Sequence, residues 1–144
     1  MIKLIEINSE NFWDVVKLKV TEEQKNFVAS NTFSIAQSKI QPECIPLAVY
    51  DDELLVGFMM YCVDTEDNEY WIYRVMVDEK YQSKGYGRKA MNALIDKLKE
   101  DKEHNMVYIS FEPHNHWAKA LYESLGFKPD GRELDGEIVY KLEY

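Results

Sequence analysis

The stretch Lys80-Tyr81-Gln82-Ser83-Lys84-Gly85-Tyr86-Gly87-Arg88-Lys89 (KYQSKGYGRK) holds four bases and no acid, in a chain whose 26 acids and 17 bases give a formal net charge of -9. The rest of the chain therefore carries -13, and this segment +4. It runs into an apolar stripe of Tyr86, Ala90, Met91, Leu94, Ile95 and Leu98, whose spacing predicts a helix from about Tyr86 to Glu100. The start of a helix carries unpaired N–H groups and a partial positive charge, so cations there are unfavourable without an offsetting anion. Here Lys84, Arg88 and Lys89 crowd that end, and the first acid after Glu79 is Asp96. A bound phosphate or pyrophosphate resolves the conflict. Gly85 and Gly87 allow close backbone approach, the N–H groups point at the anion, and the basic side chains complete the cradle. The plain alternative is a solvated basic turn.

Outward from this segment the order of elements is mixed. Ile2, Leu4 and Ile5 suit a first strand, and Asn11 can cap a helix carrying Phe12, Val15, Val16 and Val20. A second helix is expected around Phe27 to Ser38. Pro42 and Pro46 punctuate the entry to a strand at Leu47–Tyr50, and Asp51-Asp52 turns it into a strand at Leu54–Val63. Asp64 to Glu69 reads as a solvated turn before Tyr70–Val77, rich in aromatic and β-branched residues. After the basic segment and its helix come a strand at Met106–Phe111, a short helix from His116 to Leu125 closed by Gly126, and a terminal hairpin turned by Asp135-Gly136. The expectation is one domain over residues 1–144, an α/β fold. Its sheet is mixed and mostly antiparallel, flanked by helices, with one central strand-helix-strand crossover.

Bulk composition narrows the function. An acidic chain with a pI near 4.8 lacks the broad basic face that nucleic acid or anionic lipid requires, so a small cationic partner fits better. No long apolar run suggests a signal peptide or membrane span, and Cys44 and Cys62 fit neither a disulfide framework nor a zinc site. A cytoplasmic protein is expected. Glu112, His114 and His116 alternate on one short segment interrupted by Pro113, which is a poor metal pattern, and no metal is expected.

Three phosphate motifs compete for the basic loop. The G-K-[ST] ending of a nucleotide-hydrolysing P-loop is missing. Gly85 to Ala90 fits G-x-G-x-x-A, but a dinucleotide fold needs repeated βαβ halves, and here the motif follows two hairpins. The third form, Q/R-x-x-G-x-G/A, is met by Gln82-Ser-Lys-Gly-Tyr-Gly87, and Asn115-His-Trp-Ala118-Lys-Ala-Leu-Tyr122-Glu-Ser-Leu-Gly126-Phe127 follows at the right separation. Together these motifs resemble the GNAT superfamily of N-acetyltransferases over the whole chain, most strongly from Tyr70 to Phe127.

The resemblance implies acetyl-CoA as cosubstrate, with its pyrophosphate on Gln82, Ser83, Lys84, Gly85, Tyr86, Gly87 and Arg88. It implies that Val75, Met76 and Val77 offer backbone groups to the pantetheine and thioester, with the Met76 N–H as the oxyanion donor, and that Asn115 contacts the pantetheine arm. Tyr122 matches the tyrosine that protonates the departing thiolate. The glutamate that many relatives carry on the strand before the loop is missing from Trp71-Ile-Tyr-Arg-Val-Met-Val77, and no single base is assigned. Three routes stay open: deprotonation through water to Glu112, deprotonation through water to Tyr73, or delivery of neutral amine by an acidic pocket. The segment from Val20 to Ser34 is similar to the acceptor loop of bacterial spermine/spermidine acetyltransferases. That similarity implies a polyamine, with Glu22 and Glu23 holding an ammonium end while Phe27 and Trp71 cover the methylene chain. An aminoglycoside, a protein N-terminus and a non-catalytic acyl-CoA sensor are the rival readings. Relatives often form dimers, so the resemblance leaves a homodimer open.

Overall fold

The computed structural model describes residues 1–144. One seven-stranded sheet contains β1 (Ile2–Glu6), β2 (Cys44–Asp51), β3 (Leu54–Val63), β4 (Tyr70–Val77), β5 (Met106–Phe111), β6 (Lys128–Leu134) and β7 (Glu137–Glu143). Their spatial order is β1-β2-β3-β4-β5-β7-β6. Neighbours are antiparallel except β4 and β5, which are parallel and joined through helix α3 (Tyr86–Leu98). Helices α1 (Phe12–Lys17), α2 (Asn31–Ile40) and α4 (His116–Ser124) complete the layers. The mixed sheet with a single crossover is the architecture that the strand and helix patterns predict.

Side-chain alternation splits the core into two layers. On β3, Met59 joins Met91, Leu94 and Leu98 of α3 and Tyr122 of α4, whereas Phe58 and Met60 face Val15 of α1 and Met76. Helix α3 forms because its apolar residues recur at helical spacing, and Gly87, Ala90, Met91, Leu94, Ile95 and Leu98 are all buried. Leu94 has no exposed surface, so truncating it to alanine costs about 2–5 kcal/mol. Cys44 and Cys62 are buried partners across β2 and β3, and burial pushes the Cys62 thiol up to about 12, as befits an inert packing residue.

Some boundaries differ from the sequence reading. Helix α1 stops at Lys17, and Val20 is buried beyond it. Asn11 does not cap α1; its side chain turns back, accepting from the Asn8 N–H at 2.9 Å and donating to the Glu6 carbonyl at 3.1 Å. Helix α2 starts at Asn31 because the Ser30 hydroxyl accepts from the Phe33 N–H at 3.1 Å, which leaves Phe27 to Ala29 in the preceding loop. Pro46 lies inside β2, opposite Met60; pairing with β1 begins only at Leu47, so the missing N–H faces no partner strand. No helix is long and apolar enough to cross a membrane.

Candidate active site at the split between β4 and β5

Strands β4 and β5 pair only over Tyr70–Ile72 with Val107–Ile109, and then part. The cause is local. Met60 faces Arg74 and Tyr61 faces Ile72, so Tyr73 is an extra residue without a β3 partner, a bulge placed just after the last β4–β5 pair. Such a bulge bends its strand and re-aims its side chains. The split opens a cavity of about 670 Å³ lined from β4 by Trp71 to Val75, from β5 by Ile109 to Phe111, and from α4 by Trp117 and Tyr122.

Beyond β4 the basic loop reaches the start of α3. Ser83 and Gly85 take positive φ, 64° and 83°, and Gly85 has open space around it. No side chain caps the helix, and its backbone ladder starts with Lys89 N–H to the Gly85 carbonyl at 3.1 Å, so the N–H groups of residues 86–88 remain free for a ligand. None of Lys80, Lys84, Arg88 and Lys89 has a carboxylate partner. Lys84 is exposed, whereas Arg88 donates to the Ser124 carbonyl at 3.2 Å and so braces the end of α4. Tyr86 points away, donating to Asp51 at 2.8 Å. Gln82 donates to the Val77 carbonyl at 3.0 Å and to the Gln24 side chain at 2.9 Å, tying the loop to β4 and to the segment before α2.

Gly87 does something other than admit a ligand. It is buried, and a Cβ there would meet Trp117 at 3.1 Å and Leu121 at 3.3 Å, so the bare backbone lets α3 close on α4.

The backbone of β4 also departs from expectation. The Asp78 N–H bonds the Val56 carbonyl at 2.8 Å, which fixes the alternation: Asp78 and Met76 turn their backbone groups toward β3. The Met76 carbonyl lies against Gly57 on that side, while the Val77 carbonyl faces Gln82 on the other. The Met76 N–H is therefore spent inside the sheet, and Val75 and Val77 present theirs to the split.

Tyr122 is buried at the cavity wall, edge-on to Phe111 at 5.4 Å, and burial pushes its phenol up, so it keeps its proton across the physiological range. Asn115 lines the cavity and also caps α4, its side-chain oxygen accepting from the Ala118 N–H at 3.2 Å. Phe27, Trp71 and Tyr73 line the cavity as well.

Three predicted residues are not brought in. Glu112 is exposed and outside the lining. Glu22 points to solvent, paired with Lys25 at 2.6 Å, and Glu23 is exposed beside it. Tyr73 cannot serve as a base: burial, then hydrogen bonding, drives its phenol up, and it donates to Asp64 at 3.0 Å.

The carboxylates at the cavity come from elsewhere. Asp64, Glu66 and Asp67 stand on the β3–β4 turn that the sequence reads as merely solvated, and Asp67 accepts from the Trp71 indole at 2.8 Å. Asp135 comes from the β6–β7 turn and Glu137 from the first position of β7, where it accepts from the Ser110 hydroxyl at 2.7 Å. Glu137 is half-buried and shares the cavity lining with Tyr122 and Arg74. Only pairing between distant strands gathers these acids, and no sequence spacing signals it. No group of three or more His, Cys, Asp or Glu is placed to hold a metal.

A sheet split beside an uncapped, basic helix start defines an acyl-transfer fold, and comparison with known proteins agrees. The model of the acetyltransferase (GNAT) family matches residues 12–127, and the chain belongs to that family of acetyltransferases. It is 31% identical over 145 aligned positions to the spermine/spermidine N(1)-acetyltransferase of Bacillus subtilis (strain 168), covering 96% of this chain and 95% of that one. A shorter match, 35% over 63 residues, covers 44% of this chain and 37% of the N-alpha-acetyltransferase RimI of Mycobacterium tuberculosis. Among solved structures, an aminoglycoside acetyltransferase in complex with coenzyme A superposes with a TM-score of 0.82 at 16% identity, covering 99% of this chain and 95% of the other. The PaiA N-acetyltransferase of Thermoplasma acidophilum, also in complex with coenzyme A, gives 0.73 at 15% identity, covering 100% and 99%.

Proposed function

We propose that this enzyme transfers acetyl from acetyl-CoA to a primary amine of a polyamine, of the spermidine or spermine kind. The observation that carries the reading is one cavity that joins the β4–β5 split to five carboxylates, Asp64, Glu66, Asp67, Asp135 and Glu137. The acids suit an acceptor with several ammonium groups, and the relatives matched over nearly the whole chain are named for spermine and spermidine.

The diphosphate of the cosubstrate binds the free N–H groups at the start of α3, with Lys84 adding charge. The thioester lies along the open edge of β4, where the Val75 N–H receives the developing oxyanion. The acceptor nitrogen must first lose a proton, which passes through solvent to Glu137. The nitrogen then bonds to the carbonyl carbon, the C–S bond breaks, the thiolate takes a proton from Tyr122, and the second proton shed by the nitrogen passes through solvent to restore the Tyr122 phenol. Burial raises the proton affinity of that thiolate as it raises the phenol's, which keeps the transfer feasible.

The test is acetyl-CoA turnover with spermidine, spermine, an aminoglycoside and an alanine-terminated peptide. The reading expects the highest kcat/KM for a polyamine, and preference for either of the last two rejects the acceptor class.

A further inference from the structure

Strand β6 carries an unusual detour. Pro129 faces Tyr140 and Glu133 faces Ile138, so three residues, Asp130, Gly131 and Arg132, oppose the single Val139. Gly131 takes a φ of 91°, which few other residues adopt, and the detour throws Arg132 back over the sheet. There its guanidinium lies 5.5 Å from the Trp71 ring centre and 5.2 Å from that of Tyr108, two rings stacked at 5.1 Å and 25°. Asp130 grips it from its own strand at 2.7 Å, and the Trp71 indole is oriented by Asp67 at 2.8 Å. Trp71, Asp67 and Arg132 all line the cavity.

A pair of aromatic faces with a carboxylate at the edge is a seat for a cation. In this chain the seat is filled by a side chain that is 46% exposed and borne on a glycine-hinged bulge, so it can leave without opening the core. We infer that the Trp71–Tyr108 platform is the subsite for the distal ammonium of the acceptor, and that Arg132 is its resident occupant, which the acceptor displaces. The inference rests on the polyamine reading and adds a consequence of its own. Arg132 competes with long polycations and is indifferent to amines too short to reach the platform.

The experiment measures KM for spermidine and for butylamine in the wild type, Arg132→Gln and Arg132→Lys. Gln removes the charge and keeps a hydrogen-bonding amide on a shorter stem. The expected result is a spermidine KM lowered about three-fold or more in Arg132→Gln, the size of a modest cation–aromatic contact. KM for butylamine and for acetyl-CoA stays unchanged, and Arg132→Lys stays near the wild type. A spermidine KM that is unchanged or raised overturns the inference, and so does an equal fall for butylamine. If no polyamine is acetylated by the wild type, the acceptor reading itself fails. If spermidine turns over but ignores the charge at residue 132, only the subsite fails.

Discussion

The α-carbon of Gly87 lies against the indole of Trp117, so closely that a Cβ would stand 3.1 Å from the ring. This contact couples the first turn of α3, where the diphosphate is proposed to bind, to a residue of the cavity wall. In Gly87→Ala the gain in helix propensity is outweighed by overpacking, for a net loss of about 1 kcal/mol. The melting temperature is expected to fall by about 3 °C, with KM for acetyl-CoA raised as Trp117 shifts. Unchanged values in both would show that the two helices separate freely.

Tyr122→Phe keeps the ring against Phe111 and Phe127 and removes only the acidic proton. Steady-state kinetics should show kcat lower by about 10²-fold with KM for acetyl-CoA barely moved. Full activity would leave Tyr122 as a packing residue.

Glu137→Gln tests the route of the acceptor's proton. The amide keeps the hydrogen bond from Ser110 but cannot accept a proton at neutral pH. The expected loss in kcat is about 10-fold to 10²-fold, with partial recovery at alkaline pH as free amine becomes available. A uniform loss at every pH contradicts the assignment.

Two pairs of carboxylates can be set against each other. Asp64→Asn with Asp67→Asn should raise KM for spermidine, whereas Glu22→Gln with Glu23→Gln, at exposed positions outside the cavity, should not. Salt should raise the wild-type KM too, because screening weakens charge steering beyond about 8 Å at physiological ionic strength. The opposite ranking of the two double variants returns the acceptor's ammonium to the loop before α2.

His104 supplies a pH test of stability away from the site. Its ring nitrogens face two acceptors, the Asn68 carbonyl at 2.8 Å and the Asp101 carboxylate at 2.7 Å, so both donate and the imidazolium is favoured. The Asn68 carbonyl first, then Asp101, raise its pKa above the usual 6.5. A raised folded pKa adds stability that is present below about pH 6.5 and is lost as pH rises through the folded value. The melting temperature of the wild type should therefore exceed that of His104→Gln by more at pH 5.5 than at pH 8.5. A gap that is constant, or larger at pH 8.5, contradicts the ion pair.

What the sequence made legible was local. The stripe of α3, the period-two apolar runs of β3 and β4, and the glycine at position 85 are all set by residues within one turn or one strand. The site depends on register. A single extra residue at Tyr73 splits the sheet, and the same strand alternation turns the Met76 N–H inward and leaves that of Val75 at the open edge. Neither is visible before β3 and β4 are paired. The acids were hidden for a related reason: Asp64 and Asp67 sit in a turn that looks solvated, and Glu137 opens the terminal strand β7, until the folded sheet brings them to one cavity.

The central claim is that the diphosphate of acetyl-CoA rests on the start of α3. Calorimetric titration of coenzyme A, and of pantetheine, which lacks the diphosphate, into the wild type and Lys84→Glu tests it most directly. Lys84 is exposed and without a carboxylate partner, so the substitution changes charge and not packing. The account predicts that coenzyme A binds the variant about 10-fold or more weakly, in line with losing one charge-assisted contact and adding a repulsive one, while pantetheine binds both proteins alike. Equal affinity of coenzyme A for the two proteins would contradict it.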